Sequence, residues 1–189
     1  MSRTTKIILI IVASLIVLGV IAVGGVALIA GRFVAKSVAN SPTAVQEAAA
    51  KIADFDLPEG YETDYAIQMA GFTMAAYDPG DGHSHLMLIQ FPAGVQVNES
   101  EMRRQLEKAA RNPNKDQDRV QIVAQTPVTI RGQQATATYS EGTNSAGQPY
   151  RSVMVAFVGK GGGPAMIVFE EPVSRWDQDR VDALIASIR

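Results

Sequence analysis

Apolar residues follow three different rhythms along this chain. From Ile7 to Gly31 no residue is charged, and most are Ile, Leu, Val, Ala or Gly. A helix rising about 1.5 Å per residue over that stretch crosses a hydrocarbon core of about 30 Å. The apolar part of a cleaved signal peptide is usually only about 7–15 residues long. Arg32 follows Gly31 where a cleavage motif would be expected. The pattern therefore predicts a retained transmembrane helix over residues 7–31, with a short tail over 1–6 and a juxtamembrane linker over 32–42. Ala27 and Gly31 are small residues four apart, the spacing that lets two helices approach closely, though such pairs are common in any Ala/Gly-rich span.

The second rhythm is helical. Ser41-Pro42 reads as a helix cap followed by proline at the first helical position, and the helix runs to about Ala53, with Glu47 and Lys51 one turn apart. Asn98 and Glu101 have the spacing of a capping box, and Met102, Leu106 and Ala109/Ala110 continue at helical intervals until Asn112-Pro113. A last helix starts near Ser174 or Asp177, and Val181, Leu184, Ile185 and Ile188 form its apolar stripe.

The third rhythm is alternation. Strand patterns cover Tyr65–Met69, Phe72–Tyr77, His85–Phe91, Val120–Ala124, Val128–Ile130, Ala135–Tyr139, Tyr150–Val158 and Ala165–Phe169. The connection Lys160-Gly161-Gly162-Gly163 is too short for anything but an antiparallel hairpin. Val153, Val155 and Phe157 share one face of their strand, while Met154, Ala156 and Val158 share the other. Both faces being apolar, both should be covered. The expected fold is α+β: an antiparallel sheet of about six strands over residues 43–189, with helices on both faces.

The Leu57-Pro58-Glu59-Gly60-Tyr61 turn, the central strands, the Arg131-Gly132 turn and the closing Pro172…Trp176…Leu184-Ile185…Ser187 segment resemble the PsbP-like and DcrB-like superfamily. The resemblance covers about residues 43 to 189. It implies an α/β/α fold around an antiparallel sheet, often carried by exported or membrane-attached accessory proteins, and no common catalytic residue. The chain departs from the lipoprotein members in having an apolar span where they have a lipidated cysteine.

Composition narrows the chemistry. The chain has no cysteine, so disulfides, thiolate metal sites and cysteine nucleophiles are excluded. A net charge of −2 argues against a nucleic-acid partner. Arg3 and Lys6 precede the apolar span and Arg32 and Lys36 follow it, so the flanking charges are nearly balanced; the free amino terminus tips the orientation to N-terminus inside. The expected location is the cell membrane, single-pass, with the bilayer contacted through residues 7–31 and the domain extracytoplasmic.

The two histidines, His83 and His85, lie in the segment Asp78–His85. In a strand, positions two apart share a face, so both imidazoles would meet one metal ion, with Asp78 or Asp81 completing the site. A polar hairpin loop accounts for the same residues without a ligand. Gly159-Lys160-Gly161-Gly162-Gly163 lacks the order of a phosphate loop, and a hairpin turn explains it. The methionines Met69, Met74, Met87, Met102, Met154 and Met166 are scattered through apolar segments, as core filling requires. Glu170 and Glu171 point to opposite faces if their strand continues, which makes them poor acid/base partners.

Charge is unevenly placed. Nine acids and no Lys or Arg lie between Ile52 and Met102, whereas Arg103 to Arg119 holds six basic residues against three acids. Arg104, Lys108 and Arg111 share one helical face, a candidate docking surface for a protein of a membrane complex or for anionic headgroups; a solvated face opposite the Met102/Leu106 stripe is the plainer account. No residue set calls for a cofactor or a catalytic mechanism. The expected function is therefore a membrane-anchored, non-enzymatic accessory or interaction domain, with ligand or metal binding by the Asp78–His85 loop as the alternative.

Overall fold

The computed structural model describes residues 38–93, 121–143 and 147–189. Its strands are β1 (Val38–Ala39), β2 (Glu62–Met69), β3 (Phe72–Asp78), β4 (His85–Gln90), β5 (Gln121–Ile130), β6 (Gln133–Thr143), β7 (Pro149–Val158) and β8 (Pro164–Pro172). Two α-helices, α1 (Pro42–Ile52) and α2 (Gln178–Ser187), and one 3-10 turn (Val173–Arg175) complete it. All eight strands form one sheet in the order β1-β2-β3-β4-β8-β7-β6-β5, and every neighbouring pair is antiparallel.

The helix ends follow their residues. Ser41 caps α1 with its hydroxyl accepting from the Ala44 N–H at 3.3 Å, and Pro42 stands where no N–H is needed. Asp177 caps α2, its carboxylate accepting from the Asp179 and Arg180 N–H groups at 3.0 and 3.2 Å. The Glu47/Lys51 pairing expected along α1 is replaced by a contact across elements: Lys51 Nζ donates to Gln68 Oε1 on β2 at 2.5 Å.

Both described helices lie on the same face. Val45, Ala48 and Ile52 of α1 and Val181, Leu184 and Ile185 of α2 enter one core with Ala75, Leu86, Leu88, Ile130, Ala137, Val153, Val155, Ile167 and Phe169. The alternate residues of the central strands make a second apolar layer on the other face: Ile67, Phe72, Met74, Ala76, Met87, Ile89, Phe91 and Met166. The two-sided reading of the central hairpin is thus borne out, since Val153, Val155 and Phe157 join the first layer and Met154 and Ala156 the second. The expectation of helices on both faces meets two helices on one face; the helix expected at Asn98–Arg111 lies outside the described residues, as does the apolar span 7–31. Among the described residues no helix is long and apolar enough to cross a membrane.

The sheet has eight strands where about six were expected, and two of them differ from the sequence pattern. Val38–Ala39, placed in the linker by sequence, pairs with Ile67 and Ala66 of β2. The two short runs around Pro127 join into one strand, with a register shift between Ile122 and Ala124. Pro127 is tolerated because β5 is terminal in the sheet. Arg131 and Gly132, both at positive φ (52° and 76°), make the two-residue turn in which Ile130 and Gln133 exchange hydrogen bonds. Counting back from Ile130, Pro127 falls at a position whose N–H would face away from β6.

The glycine run after β7 is a hairpin turn. Gly159 N–H donates to the Gly163 carbonyl at 3.0 Å, and Gly162 takes φ +75°. The turn is also a seat for its neighbours: Lys160 N–H donates to the Ile52 carbonyl at the end of α1 at 2.8 Å, and a Cβ on Gly163 would lie 2.1 Å from the Phe91 carbonyl oxygen. A Gly163→Ala variant is therefore expected to lose about 1–3 kcal/mol of stability by forcing backbone apart. Gly147→Ala, with positive φ but open space around it, should lose about 1 kcal/mol. Urea unfolding of the two variants side by side checks the order.

Candidate functional site

The polar residues of the structure gather at one end of the sheet, where β3, β4, β7 and β8 meet the Asp78–His85 loop and the start of α2. Two sets form, one on each face, because side chains alternate along each strand.

On the helix face the centre is Glu171 of β8. Its side chain is 0% exposed. The Tyr61 hydroxyl donates to Glu171 Oε1 at 2.9 Å, and Arg180 of α2 donates to Oε2. Burial pushes the Glu171 carboxyl above the usual carboxylate range, against the Tyr61 hydrogen bond and the Arg180 charge that lower it. Tyr61 is raised in turn, by burial first and then by the Glu171 charge. Arg180 also donates to the Arg175 carbonyl at 3.1 Å and lies 5.8 Å over the Phe169 ring; its Nε is buried with no hydrogen-bond partner.

Asp81 extends this set. Its carboxylate accepts from the His83 and Ser84 N–H groups, each at 2.8 Å, and from the Ser84 hydroxyl at 2.7 Å, and it pairs with Arg175. Burial works against ionisation of Asp81, but these hydrogen bonds and the Arg175 charge outweigh it and hold the carboxyl below the usual range. Ser84 is fully buried and lies beside the Tyr61 hydroxyl. Next to it, Arg151 pairs with Glu141 across β7 and β6, with Nε donating at 2.8 Å, and stacks 5.5 Å over the Trp176 ring.

On the other face, His85 Nδ1 lies 3.6 Å from Asp78 Oδ2. Burial lowers the His85 imidazole below its ordinary value, against the charges of Asp78, Asp81 and Asp64 that raise it. Asp64 is raised, by burial and then by the Asp78 charge. Glu170 stands directly across from His85 in the register.

The four residues predicted as metal ligands are therefore divided. Asp78 and His85 meet; Asp81 is turned into the loop and toward Arg175; His83 is exposed and precedes β4, which begins at His85. The shared-face argument required both histidines inside a strand. Among the described residues no group of three or more His, Asp and Glu side chains is placed to hold a metal ion. Arg104, Lys108 and Arg111 lie outside the described residues. Glu170 and Glu171 do point to opposite faces, since β8 continues to Pro172. Sequence reasoning missed Tyr61, Arg175 and Arg180, which it treated as turn or helix residues. Only the acids ending an apolar strand, Glu170 and Glu171 after Val168-Phe169, hinted at a buried partner.

No protein-family model matches the chain, and no curated protein does either. Among solved structures the fold is similar to the solution structure of cyanobacterial PsbP (CyanoP) from Synechocystis sp. PCC 6803. The match has a TM-score of 0.45 and 11% identity, and spans 88% of this chain and 95% of that one.

What the arrangement does chemically is cross-link. Asp81 ties the β3–β4 loop to the 3-10 turn, and Glu171 ties β8 to α2 and to the turn before β2. Arg180→Met should cost about 3 kcal/mol by leaving the Glu171 charge buried without its partner. The double variant Glu171→Leu/Arg180→Met should lose clearly less than the two single losses added together. Chemical unfolding at pH 7 tests this, and additive losses would show that the pair is not coupled.

His85 gives a pH test of definite sign. Its folded-state value lies below the ordinary value of 6.5, so the unfolded chain binds the proton first as pH falls. Stability contributed by the neutral imidazole is present above about pH 6.5 and is lost as pH falls from there through the folded-state value. Replacing His85 by Gln should flatten that part of the stability–pH curve; an unchanged slope between about pH 7 and pH 5 would contradict the assignment.

Proposed function

We propose that this chain is a membrane-anchored, non-enzymatic accessory domain that docks onto another protein. The observation that carries the reading is the uncharged run Ile7–Gly31, set a few residues before a sheet whose strands begin at Val38. The orientation proposed is N-terminus inside and the domain on the outer side, the usual arrangement for a long domain behind a single N-terminal span.

The chemistry of the described domain agrees with this. Ten of its charged side chains are paired in cross-links between elements: Asp81 with Arg175, Glu171 with Arg180, Arg151 with Glu141, Lys160 with Asp54 at 2.5 Å, and Arg189 with Asp56 at 3.1 Å. Groups held this way stiffen a scaffold and are poorly placed to exchange protons with a substrate. The docking surface proposed is the basic set Arg104, Lys108 and Arg111, and the partner is an acidic surface of a membrane-protein complex.

The full chain should stay with the membrane through alkaline carbonate extraction and leave it when residues 7–31 are deleted. Protease added outside intact cells or right-side-out vesicles should digest the domain. Cross-linking in native membranes should give a discrete adduct that disappears in the Arg104→Glu/Lys108→Glu/Arg111→Glu variant. Extraction of the full chain by carbonate defeats the anchor; an adduct that survives charge reversal defeats the docking surface.

A further inference from the structure

The register of the sheet fixes the end from which the chain enters it. The β2–β3, β5–β6 and β7–β8 turns all stand at one end, where Met69 pairs with Phe72, Ile130 with Gln133 and Val158 with Pro164. Glu171, across from Arg151 near the start of β7, stands at the other. On the outermost strand Val38 pairs with Ile67 and Ala39 with Ala66. Since β2 runs from the Glu171 end toward the turns, the antiparallel β1 runs away from them. The chain therefore comes into the sheet from the turn end, close to Met69.

Reach then limits how the domain stands behind an anchor over residues 7–31. Gly31 and Val38 are seven residues apart, at most about 25 Å whatever path the chain takes. Glu62 lies five residues along β2 from Ile67, about 17 Å of strand. With the Glu171 end on the bilayer, the chain would have to climb that distance beside the sheet. It would then have to reverse direction within about two residues before starting β1. With the turns on the bilayer, it enters directly.

Charge separates the same two ends. Lys51, in the last turn of α1, and Arg131, in the β5–β6 turn, are exposed. Both are held by neutral acceptors, Lys51 by Gln68 Oε1 at 2.5 Å and Arg131 by the Val158 carbonyl at 3.0 Å. Their charges are added to an end where Lys160 and Arg189 are balanced by Asp54 and Asp56. At the Glu171 end each arginine, Arg151, Arg175 and Arg180, is paired with an acid. Glu62, Asp64, Asp177 and Asp179 are further exposed acids there. An anionic surface attracts the first end and repels the second.

We infer that the turn end of the sheet is a membrane-contact surface, on which Lys51 and Arg131 meet anionic lipid headgroups while the Glu171 end projects away from the bilayer. The inference rests on the membrane-anchored reading and adds to it which end of the domain the lipid sees. Chain direction and charge support it independently, because the first depends on β1 and the second on side chains of α1 and the β5–β6 turn.

The absence of cysteine makes the test direct. A single fluorophore is placed on Gln133→Cys, beside the β5–β6 turn, or on Ser174→Cys, just beyond Glu171; both positions are exposed. Each full chain is reconstituted into vesicles of phosphatidylcholine and phosphatidylglycerol with nitroxides on some of the headgroups. The label at position 133 should lose most of its emission and the label at 174 should keep it. Equal quenching, or stronger quenching at 174, overturns the orientation. In vesicles of phosphatidylcholine alone, or at high salt, the label at 133 should regain emission; quenching unchanged by headgroup charge overturns the contact assigned to Lys51 and Arg131. Flotation of the same vesicles tells the two failures apart, since a chain that does not float with them defeats the anchor itself.

Discussion

A carboxylate with no access to water organises one end of this domain. Glu171 cannot stay buried and ionised without partners, since an uncompensated charge in the interior costs several kcal/mol. Its two oxygens are met by Tyr61 from the turn before β2 and by Arg180 from the first turn of α2. One side chain thereby fixes where the chain enters the sheet and where the last helix leaves it. The contacts around it depend on that placement. Arg180 reaches Phe169 and the Arg175 carbonyl only from its position on α2. Tyr61 meets Phe169 with ring centroids 5.5 Å apart, and Arg175, held in the 3-10 turn, meets Asp81. The polar network and the aromatic cluster around Trp176 are two sides of one joint.

The pieces read correctly from sequence are those that depend on neighbours in the chain. Ser41-Pro42 announced α1 because capping is a matter of four successive residues, and Lys160-Gly161-Gly162-Gly163 announced a hairpin because its length allowed nothing else. The apolar alternation of β7 and β8 revealed a sheet packed on both faces. The pieces misread depend on distant partners. Val38–Ala39 has no strand signal of its own and becomes one only because the edge of β2 is free. Pro127 divided β5 in the reading because proline is hostile to central strands, and nothing local said that this strand was terminal. The four candidate ligands part for the same reason: Asp81 looked like a metal ligand until Arg175, 94 residues away, and the loop's own N–H groups claimed it. The charge asymmetry around Arg104, Lys108 and Arg111 is legible in sequence alone, whereas the joint at Glu171 needs three dimensions.

The two edges of the sheet bear on how the domain meets other molecules. A long exposed edge invites another strand, and proteins that stay soluble blunt such edges. Here one edge is β1, only two residues long. The other is β5, exposed from Gln121 to Pro127, and it is interrupted twice. Pro127 withdraws an outward N–H, and the irregularity between Ile122 and Ala124 breaks the register. Each device leaves the pairing with β6 intact while denying a continuous ladder to an outsider. Strand addition is therefore disfavoured at both ends of the sheet. With one face under α1 and α2 and the edges blunted, the described domain leaves a protein partner the loops at the Glu171 end. Charge, which steers encounters and selects partners more than it adds affinity, points to the basic run between Arg103 and Arg119, where the proposed docking residues lie.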